Sequence, residues 1–278
     1  MLRGQHIKEE EERSVVRCER PFADIGLLVL DEPSRRNCLS SKTLLDLKGK
    51  IEKFGQDKNV KTIVLAAEGP TFCSGHDLHE LRAHRADKDG GREFYFQTMQ
   101  LCSDVMQSII ACPQPVIAAV QGTATAAGCQ IVATCDLAIA DESALFSTPG
   151  VNIGLFCSTP MVALTRNIPR KQAMEMLLLG DLITAEEAKE FGLINRISPK
   201  GRAREAAFEM ALKISSKSSQ VIKMGKAAFY RQIEEPLHTA YSNAVKVMVE
   251  NMLEADAHEG IDAFLNKRKA IWKGMASS

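Results

Sequence analysis

Two stretches of the chain carry residue types that could do chemistry. Phe72-Cys73-Ser74-Gly75-His76-Asp77-Leu78-His79-Glu80 gathers two imidazoles and two carboxylates within five positions. Three readings fit such a set: ligands for a metal ion, a turn that caps the next helix, or a backbone site in which Gly75 bends the chain and the His76 amide points into a cleft. No second cluster of His, Cys, Asp or Glu supplies matching ligands, so no metal is expected. The second stretch, Gly122-Thr123-Ala124-Thr125-Ala126-Ala127-Gly128-Cys129-Gln130, follows a strand-like run and opens a helix that would extend to about Cys135. Small residues there allow close packing. They also leave amides unpaired at a helix N-terminus, where the helix dipole favours negative charge on a bound oxygen. Spacing alone leaves both accounts open, close packing being the commoner. Cys129 and Cys157 lie near this stretch, but no His is placed to activate either, so both read as small buried hydrophobes. The chain has no GxGxxG after a strand, no GxxxxGK[ST], no GxSxG and no HExxH. Nucleotide-phosphate loops, serine hydrolase elbows and zincin sites are therefore not expected.

The elements that must position these stretches follow from hydrophobic spacing. Asp24 to Leu30, Thr62 to Ala67, Pro115 to Val120 and Leu137 to Ala140 are short apolar runs of strand length, with Leu193 to Ile197 a further edge piece. From Ser41, Leu44, Leu47, Ile51 and Phe54 recur at three and four, which is one face of a helix. Thr184-Ala185-Glu186-Glu187 is a capping-box sequence, and Gly192 fits the stop of the helix it opens. Val105 to Cys135 runs thirty-one residues without a formal charge. Pro113, Pro115, four glutamines and the Gln121-Gly122 turn divide it into a helix end, a buried strand and a buried helix, so no membrane span is expected. After about residue 200 the pattern is helical only. Leu237, Tyr241, Ala244, Val245, Met248, Val249, Met252 and Leu253 form an apolar stripe that needs a partner surface. The expected organisation is a polar, frayed segment over 1–20, a layered α/β core over 21–200 and a helical region over 201–278.

Composition narrows the partners. The 278 residues are 45% apolar and 25% charged, enough for a large core. Thirty-five Lys and Arg balance thirty-five Asp and Glu. Without a basic surplus a nucleic-acid role is not expected. The eight cysteines are scattered without CxxC pairs and read as reduced thiols. The opening MLRGQHIKEEEERS resembles neither a signal peptide nor a transit peptide.

Taken together, FCSGHDL, PQPVIAAVQGTATAAGCQIVATCDLAIADESALFSTPGVNIGL, GDLITAEEAKEFGLINRI and EGIDAFLNKRKAIW resemble the enoyl-CoA hydratase/isomerase (crotonase) family, collinearly from about Asp24 to Trp272. The resemblance implies a spiral of ββα units with a C-terminal helical trimerisation region, assembled as a homotrimer or as a hexamer built from two trimers. It implies an acyl-CoA thioester as ligand, with coenzyme A part of that ligand and no separate cofactor. The two amides of an oxyanion hole fall on His76 and Ala127. The backbone from His76 through Leu78 to His79 would line the adenine pocket. Arg36 lies in a stretch that flanks the coenzyme phosphates in relatives, and Phe264 and Lys267 match positions that reach the coenzyme of a neighbouring subunit. The same resemblance implies lipid or fatty-acid metabolism in the mitochondrial matrix.

The departures from the family pattern carry as much weight. Where hydratases place glutamates, this sequence has Gln130 and Gly150, and an acidic position used by some isomerases is Ser158. Hydration needs one group to deprotonate water and another to protonate the α-carbon, and each contributes about 10² to 10⁴-fold. Glutamine has no titratable proton near neutrality. Ordinary enoyl-CoA hydratase activity is therefore expected to be negligible. Two outcomes remain open: a binding protein, or an enzyme that works by enolate stabilisation alone, as in decarboxylation or thioester hydrolysis.

Overall fold

The computed structural model describes residues 14–273. Its large sheet has the order β1-β2-β3-β5-β7-β10, built from β1 (Val16–Phe22), β2 (Ile25–Leu30), β3 (Thr62–Ala67), β5 (Val116–Val120), β7 (Leu137–Asp141) and β10 (Arg196–Ser198). β1 and β2 pair antiparallel and every other neighbour pair is parallel. Parallel strands need helical crossovers on the sheet faces. That explains why β2, β3 and β5 are almost entirely apolar and buried along their whole length.

Alternation along these strands divides the core in two. Leu28, Leu30, Ile63, Leu65, Val116 and Ala118 face α1 (Ser41–Gln56) and α3 (Arg92–Ala111), whose Leu44, Leu47, Ile51, Cys102, Val105 and Ile109 complete the larger cluster. Leu27, Val29, Val64, Ala66, Ile117 and Ala119 face the other way, against Ala207 and Ala211 of α8 (Ala203–Ser215). α1 starts where Ser40 accepts a hydrogen bond from the Thr43 amide.

A second, smaller sheet has the order β4-β6-β8-β9: β4 (Thr71–Cys73), β6 (Thr123–Thr125), β8 (Leu145–Ser147) and β9 (Ile183–Thr184). The chain passes from a large-sheet strand to a small-sheet strand and then to a helix, and repeats this. β3-β4 leads to α2 (Leu78–Ala83) and α3, β5-β6 to α4 (Ala127–Thr134), and β7-β8 to α5 (Ser158–Asn167) and α6 (Arg170–Leu179). This is the ββα spiral implied by the resemblance. Strands of two or three residues give no readable hydrophobic period, so the small sheet was not apparent from spacing.

The expected boundaries shift at both ends. Residues 1–13 lie outside the described residues. Residues 16–22 form β1 and pair with β2, so ordered structure begins before residue 20. Residue 200 does not separate core from appendage either, because α8 packs against β2, β3, β5, β7 and β10 of the large sheet. Its start is fixed by the buried Asp141, which accepts the amides of Gly201, Arg202 and Ala203. Outside the core stand α9 (Ser219–Gln232), α10 (Leu237–Leu253) and α11 (Ala255–Leu265). α9 is clamped to the core by Lys226, whose ammonium donates to the carbonyls of Ile109 and Gln114 and to Asp136 at 2.6 Å. On α10, Leu237, Tyr241, Val245, Met248, Val249 and Met252 are exposed. The capping box at Thr184 opens α7 (Ala185–Phe191), and Gly192 closes it in the left-handed conformation. No helix among the described residues is long and apolar enough to cross a membrane.

Candidate active site at the ends of the small-sheet strands

The segments singled out in the sequence leave neighbouring parallel strands of the small sheet. β4 pairs Thr71 with Thr123 and Cys73 with Ala124 of β6, and β6 pairs Thr125 with Ser147 of β8. Their C-terminal ends therefore carry Gly75-His76, Ala126-Ala127 and Pro149-Gly150 side by side. Gly75 has φ +88°, and a side chain there would stand 2.8 Å from the Ala126 Cβ and 3.3 Å from the Ala127 amide nitrogen. Only glycine lets the two loops meet this closely. Contact is reinforced where the Thr125 hydroxyl donates to the Ser74 carbonyl at 3.2 Å.

The backbone bonding leaves both predicted donors unused. Leu39 donates its amide to the Gly75 carbonyl at 2.8 Å and accepts from the Asp77 amide at 3.3 Å, which skips the amide of His76. Ala127 is the first residue of α4, a helix whose start has no side-chain cap. Among the described residues neither amide donates to another backbone group. Ala126, just before the helix, has φ 51° and ψ −120°, and its amide donates to the Ser147 carbonyl at 2.9 Å. For a residue with a Cβ this conformation stores strain. A Cβ on Gly128 would fall 2.2 Å from the Cys73 carbonyl, so the close-packing reading of the small-residue run holds as well.

Asp77 settles part of the first segment. Its carboxylate accepts the His79 amide at the start of α2 and takes an ion pair from Arg35. The capping reading is therefore correct for Asp77, and Arg35 rather than Arg36 sits beside this loop. Arg36, with φ 55°, is exposed and lines a cavity with Thr71, Ser74, Thr123, Thr125 and Asn152. Both imidazole nitrogens of His76 are buried without a hydrogen-bond partner among the described residues. Burial holds that imidazole below its ordinary pKa, with the Leu39 carbonyl and Glu80 pulling weakly the other way. Leu78 and His79 are exposed on α2. Phe264 is exposed near the end of α11 and Lys267 follows it, in the C-terminal layer. Among the described residues no three His, Cys, Asp or Glu side chains gather as a metal site would require.

Two of the three positions where acids were expected, Gln130 and Gly150, are closed to solvent. Gln130 is buried on α4, with its side-chain oxygen 4.0 Å from the Cys102 thiol and its carbonyl accepting the Thr134 hydroxyl at 2.7 Å. Gly150 is also buried. A Cβ there would meet the Leu155 carbonyl at 2.8 Å and the Cys157 sulfur at 2.9 Å. The turn that brings these groups close is fixed by the Leu155 amide donating to the Gly150 carbonyl at 2.9 Å. Nothing in the sequence signalled this fold-back. Ser158, the third position, is exposed at the start of α5. Burial raises the pKa of Cys157 despite the nearby Gly150 amide, and pushes that of Cys129 to about 12. Both thiols are protonated near neutrality, and neither is a ready nucleophile.

The arrangement is a pair of unspent backbone donors at adjoining strand ends, with Gln130 and Gly150 buried on the elements that follow them. The family profile described as enoyl-CoA hydratase/isomerase matches residues 22–275. The chain is 47% identical over 245 residues to enoyl-CoA hydratase domain-containing protein 3, mitochondrial, of Rattus norvegicus, covering 88% of this chain and 80% of that one. The Homo sapiens protein of the same name is 46% identical over 253 residues, covering 91% and 82%. Among solved structures, an enoyl-CoA hydratase of Mycobacterium smegmatis aligns with TM-score 0.89 at 43% identity over 94% of this chain and 99% of that one. The human domain-containing protein 3 aligns with TM-score 0.87 at 44% identity over 93% and 100%. Profile, relatives and fold agree, and the chain belongs to the enoyl-CoA hydratase/isomerase family.

Proposed function

We propose that this protein binds an acyl-CoA thioester, with the amides of His76 and Ala127 donating to the thioester carbonyl, and that it does not hydrate enoyl-CoA at the rate typical of hydratases. The observation that carries this reading is the closure around Gly150. The Leu155 carbonyl and the Cys157 sulfur occupy the space into which a side chain would have to grow. Two donors on one developing oxyanion can contribute about 3 kcal/mol each, but only toward chemistry that passes through an enolate or tetrahedral oxyanion. With Gln130 in place of an acid, no group is left to activate water or deliver the α-proton.

Crotonyl-CoA hydration by the purified protein, followed by loss of the enoyl absorbance, tests the negative half. Turnover within the usual enzyme range would overturn it. Titration with butyryl-CoA tests the positive half, and no saturable binding would overturn that. A second reading keeps the same hole but adds turnover. A malonyl-type thioester loses CO₂ to give an enolate without removal of a carbon-bound proton, so unspent donors alone would serve. Mass analysis after incubation with malonyl-, methylmalonyl- and long-chain acyl-CoAs separates this from binding only.

Location and assembly belong to the same proposal. The vertebrate relatives are named mitochondrial, and we place this protein in the mitochondrial matrix, in acyl-CoA metabolism. The exposed apolar stripe on α10 supports a homotrimer or a pair of trimers. Phe264 and Lys267 would then reach the ligand of a neighbouring copy. Sedimentation of the pure protein tests the assembly.

A further inference from the structure

Beyond α11 the chain turns back and is fastened to the helix it has just left. α11 ends in a Schellman turn, in which the Lys267 amide donates to the Phe264 carbonyl at 3.2 Å and the Arg268 amide to the Ala263 carbonyl at 2.9 Å. Glycine is the usual residue at the bend of such a turn, because a β-carbon is strained at positive φ. Here the bend is Lys267, with φ 52°. A residue with a side chain persists in this conformation only where its surroundings hold it.

What holds it is a strap formed by residues 268–273. The Arg268 guanidinium donates to both oxygens of Glu259, at 2.7 and 2.9 Å, and the Ile271 amide donates to the same carboxylate at 2.8 Å. One turn nearer the start of α11, the buried Asp256 accepts the Lys273 amide at 2.9 Å. Residues three and four apart share a helix face, so Asp256, Glu259 and Gly260 form one track along which the strap returns. A β-carbon on Gly260 would stand 3.3 Å from the Trp272 ring, which therefore lies over the glycine. The indole Nε1 donates to the Ser216 carbonyl at 2.8 Å, at the end of α8, and so ties the strap to a helix of the core. An exposed ion pair adds little stability, and Arg268 is 44% exposed. Its two-pronged contact instead fixes direction. Phe264, four residues on from Gly260, stands at the open end of the track and is 83% exposed.

We propose that Glu259 and Trp272 are positioning residues, which seat the strap so that the strained turn presents Phe264 and Lys267 to the coenzyme end of an acyl-CoA on a neighbouring copy. The inference rests on the reading of Phe264 and Lys267 given above and adds the residues that aim them. The test is calorimetric titration of the full chain with butyryl-CoA, and its sign is decisive. Arg268 and the Ile271 amide hold the Glu259 carboxyl far below its ordinary pKa, at about 2, so it is ionised at neutral pH. Glu259→Gln therefore removes a negative charge near an anionic ligand. Charge alone would tighten binding, whereas loss of positioning weakens it. Trp272→Phe leaves charge untouched and removes only the donor to Ser216 and part of the ring. Both variants are expected to bind about tenfold more weakly, as when the competent turn is populated in about one molecule in ten. Trp272 is the only tryptophan of the chain, so its emission should move to longer wavelength in Glu259→Gln as the indole leaves Gly260. If Glu259→Gln disturbs melting or sedimentation, Trp272→Phe decides alone. Unchanged or tighter binding overturns the proposal, and so does weaker binding by Glu259→Gln with unshifted emission. Phe264→Ala and Lys267→Ala tell this failure from that of the underlying reading. If they weaken butyryl-CoA and the strap variants do not, the positioning role alone falls. If they too leave the affinity unaltered, the assignment of the coenzyme contacts falls with it.

Discussion

Placing glutamates at the two positions where the resemblance expects acids is the natural experiment on the proposed site, and the structure predicts that it fails at Gly150 for a steric reason. A β-carbon placed there lies 2.8 Å from the Leu155 carbonyl oxygen and 2.9 Å from the Cys157 sulfur. Non-bonded carbon contacts are comfortable at about 3.5–4.0 Å, so both neighbours must retreat by more than half an ångström. The sulfur can move with its side chain. The carbonyl cannot without opening the turn that the Leu155 amide closes onto Gly150. Overpacking of this kind costs about 1–3 kcal/mol, or roughly 2–12 °C in melting temperature for a chain of this size. Gly150→Ala already introduces the clash, and Gly150→Glu adds a carboxylate to a buried position. The assay is thermal unfolding of Gly150→Ala, Cys157→Ala and the double variant, with crotonyl-CoA hydration measured on Gln130→Glu/Gly150→Glu. Removing the Cys157 sulfur should return part of the loss caused by Gly150→Ala, because it relieves one of the two contacts. The carbonyl contact should keep the double variant below Cys157→Ala alone. An unchanged or higher melting temperature for Gly150→Ala would refute the reasoning. So would brisk hydration by the double glutamate variant, which would mean that the fold-back opens freely.

Three further outcomes follow from the same packing. Lys226→Met should cost about 1–3 kcal/mol in urea unfolding, because it leaves the half-buried Asp136 with only the Val116 amide and the Tyr230 hydroxyl as partners. A cost below 1 kcal/mol would mean that α9 is held by other contacts. His76 has a folded-state pKa depressed from 6.5 by burial, so the unfolded chain takes up the proton first. Its contribution to stability is complete above about pH 6.5 and falls as the pH drops toward the folded pKa. His76→Gln should flatten the fall in urea midpoint between pH 7.5 and pH 5, and an unaltered slope would assign the fall to other groups. Ala126→Gly should raise stability by up to about 1 kcal/mol by releasing the strain at φ 51°, and a lower melting temperature would show that the alanine methyl contributes more by packing.

How much of this was legible beforehand depended on how many residues each feature spans. Strands β2, β3, β5 and β7 of the large sheet, α1, the capping box at Thr184 and the stop at Gly192 each rest on several residues in a repeating or fixed pattern and stand where spacing put them, whereas β1 fell in the segment expected to be frayed. The small sheet, which carries the whole site, consists of strands of two or three residues whose pairing is set by the spiral rather than by hydrophobic alternation. The fold-back of Leu155 and Cys157 onto Gly150 is tertiary and has no local signature. Likewise Arg35 and Arg36 are neighbours of the same type. Only the left-handed turn at Arg36 and Asn37 decides that Arg35 meets Asp77 while Arg36 turns toward the outer face of the small sheet.

The contrast between retained and lost parts of the site has a physical origin. The donors assigned to the ligand are backbone amides, and their placement depends on packing that the fold needs anyway. Gly75 must be small to pass Ala126, and Gly128 must be small to pass the Cys73 carbonyl. Changing either would disturb the contact between β4 and the start of α4 before it altered any chemistry. The acids of a hydratase, by contrast, are side chains whose removal leaves the backbone standing. With glycine at 150, the Leu155 carbonyl and the Cys157 sulfur stand where a side chain would grow, which opposes the introduction of an acid there. On the proposed reading, a site in this state binds a thioester oxygen without the means to move protons around it. Any chemistry left to it must therefore begin from a bond that breaks toward the carbonyl unaided.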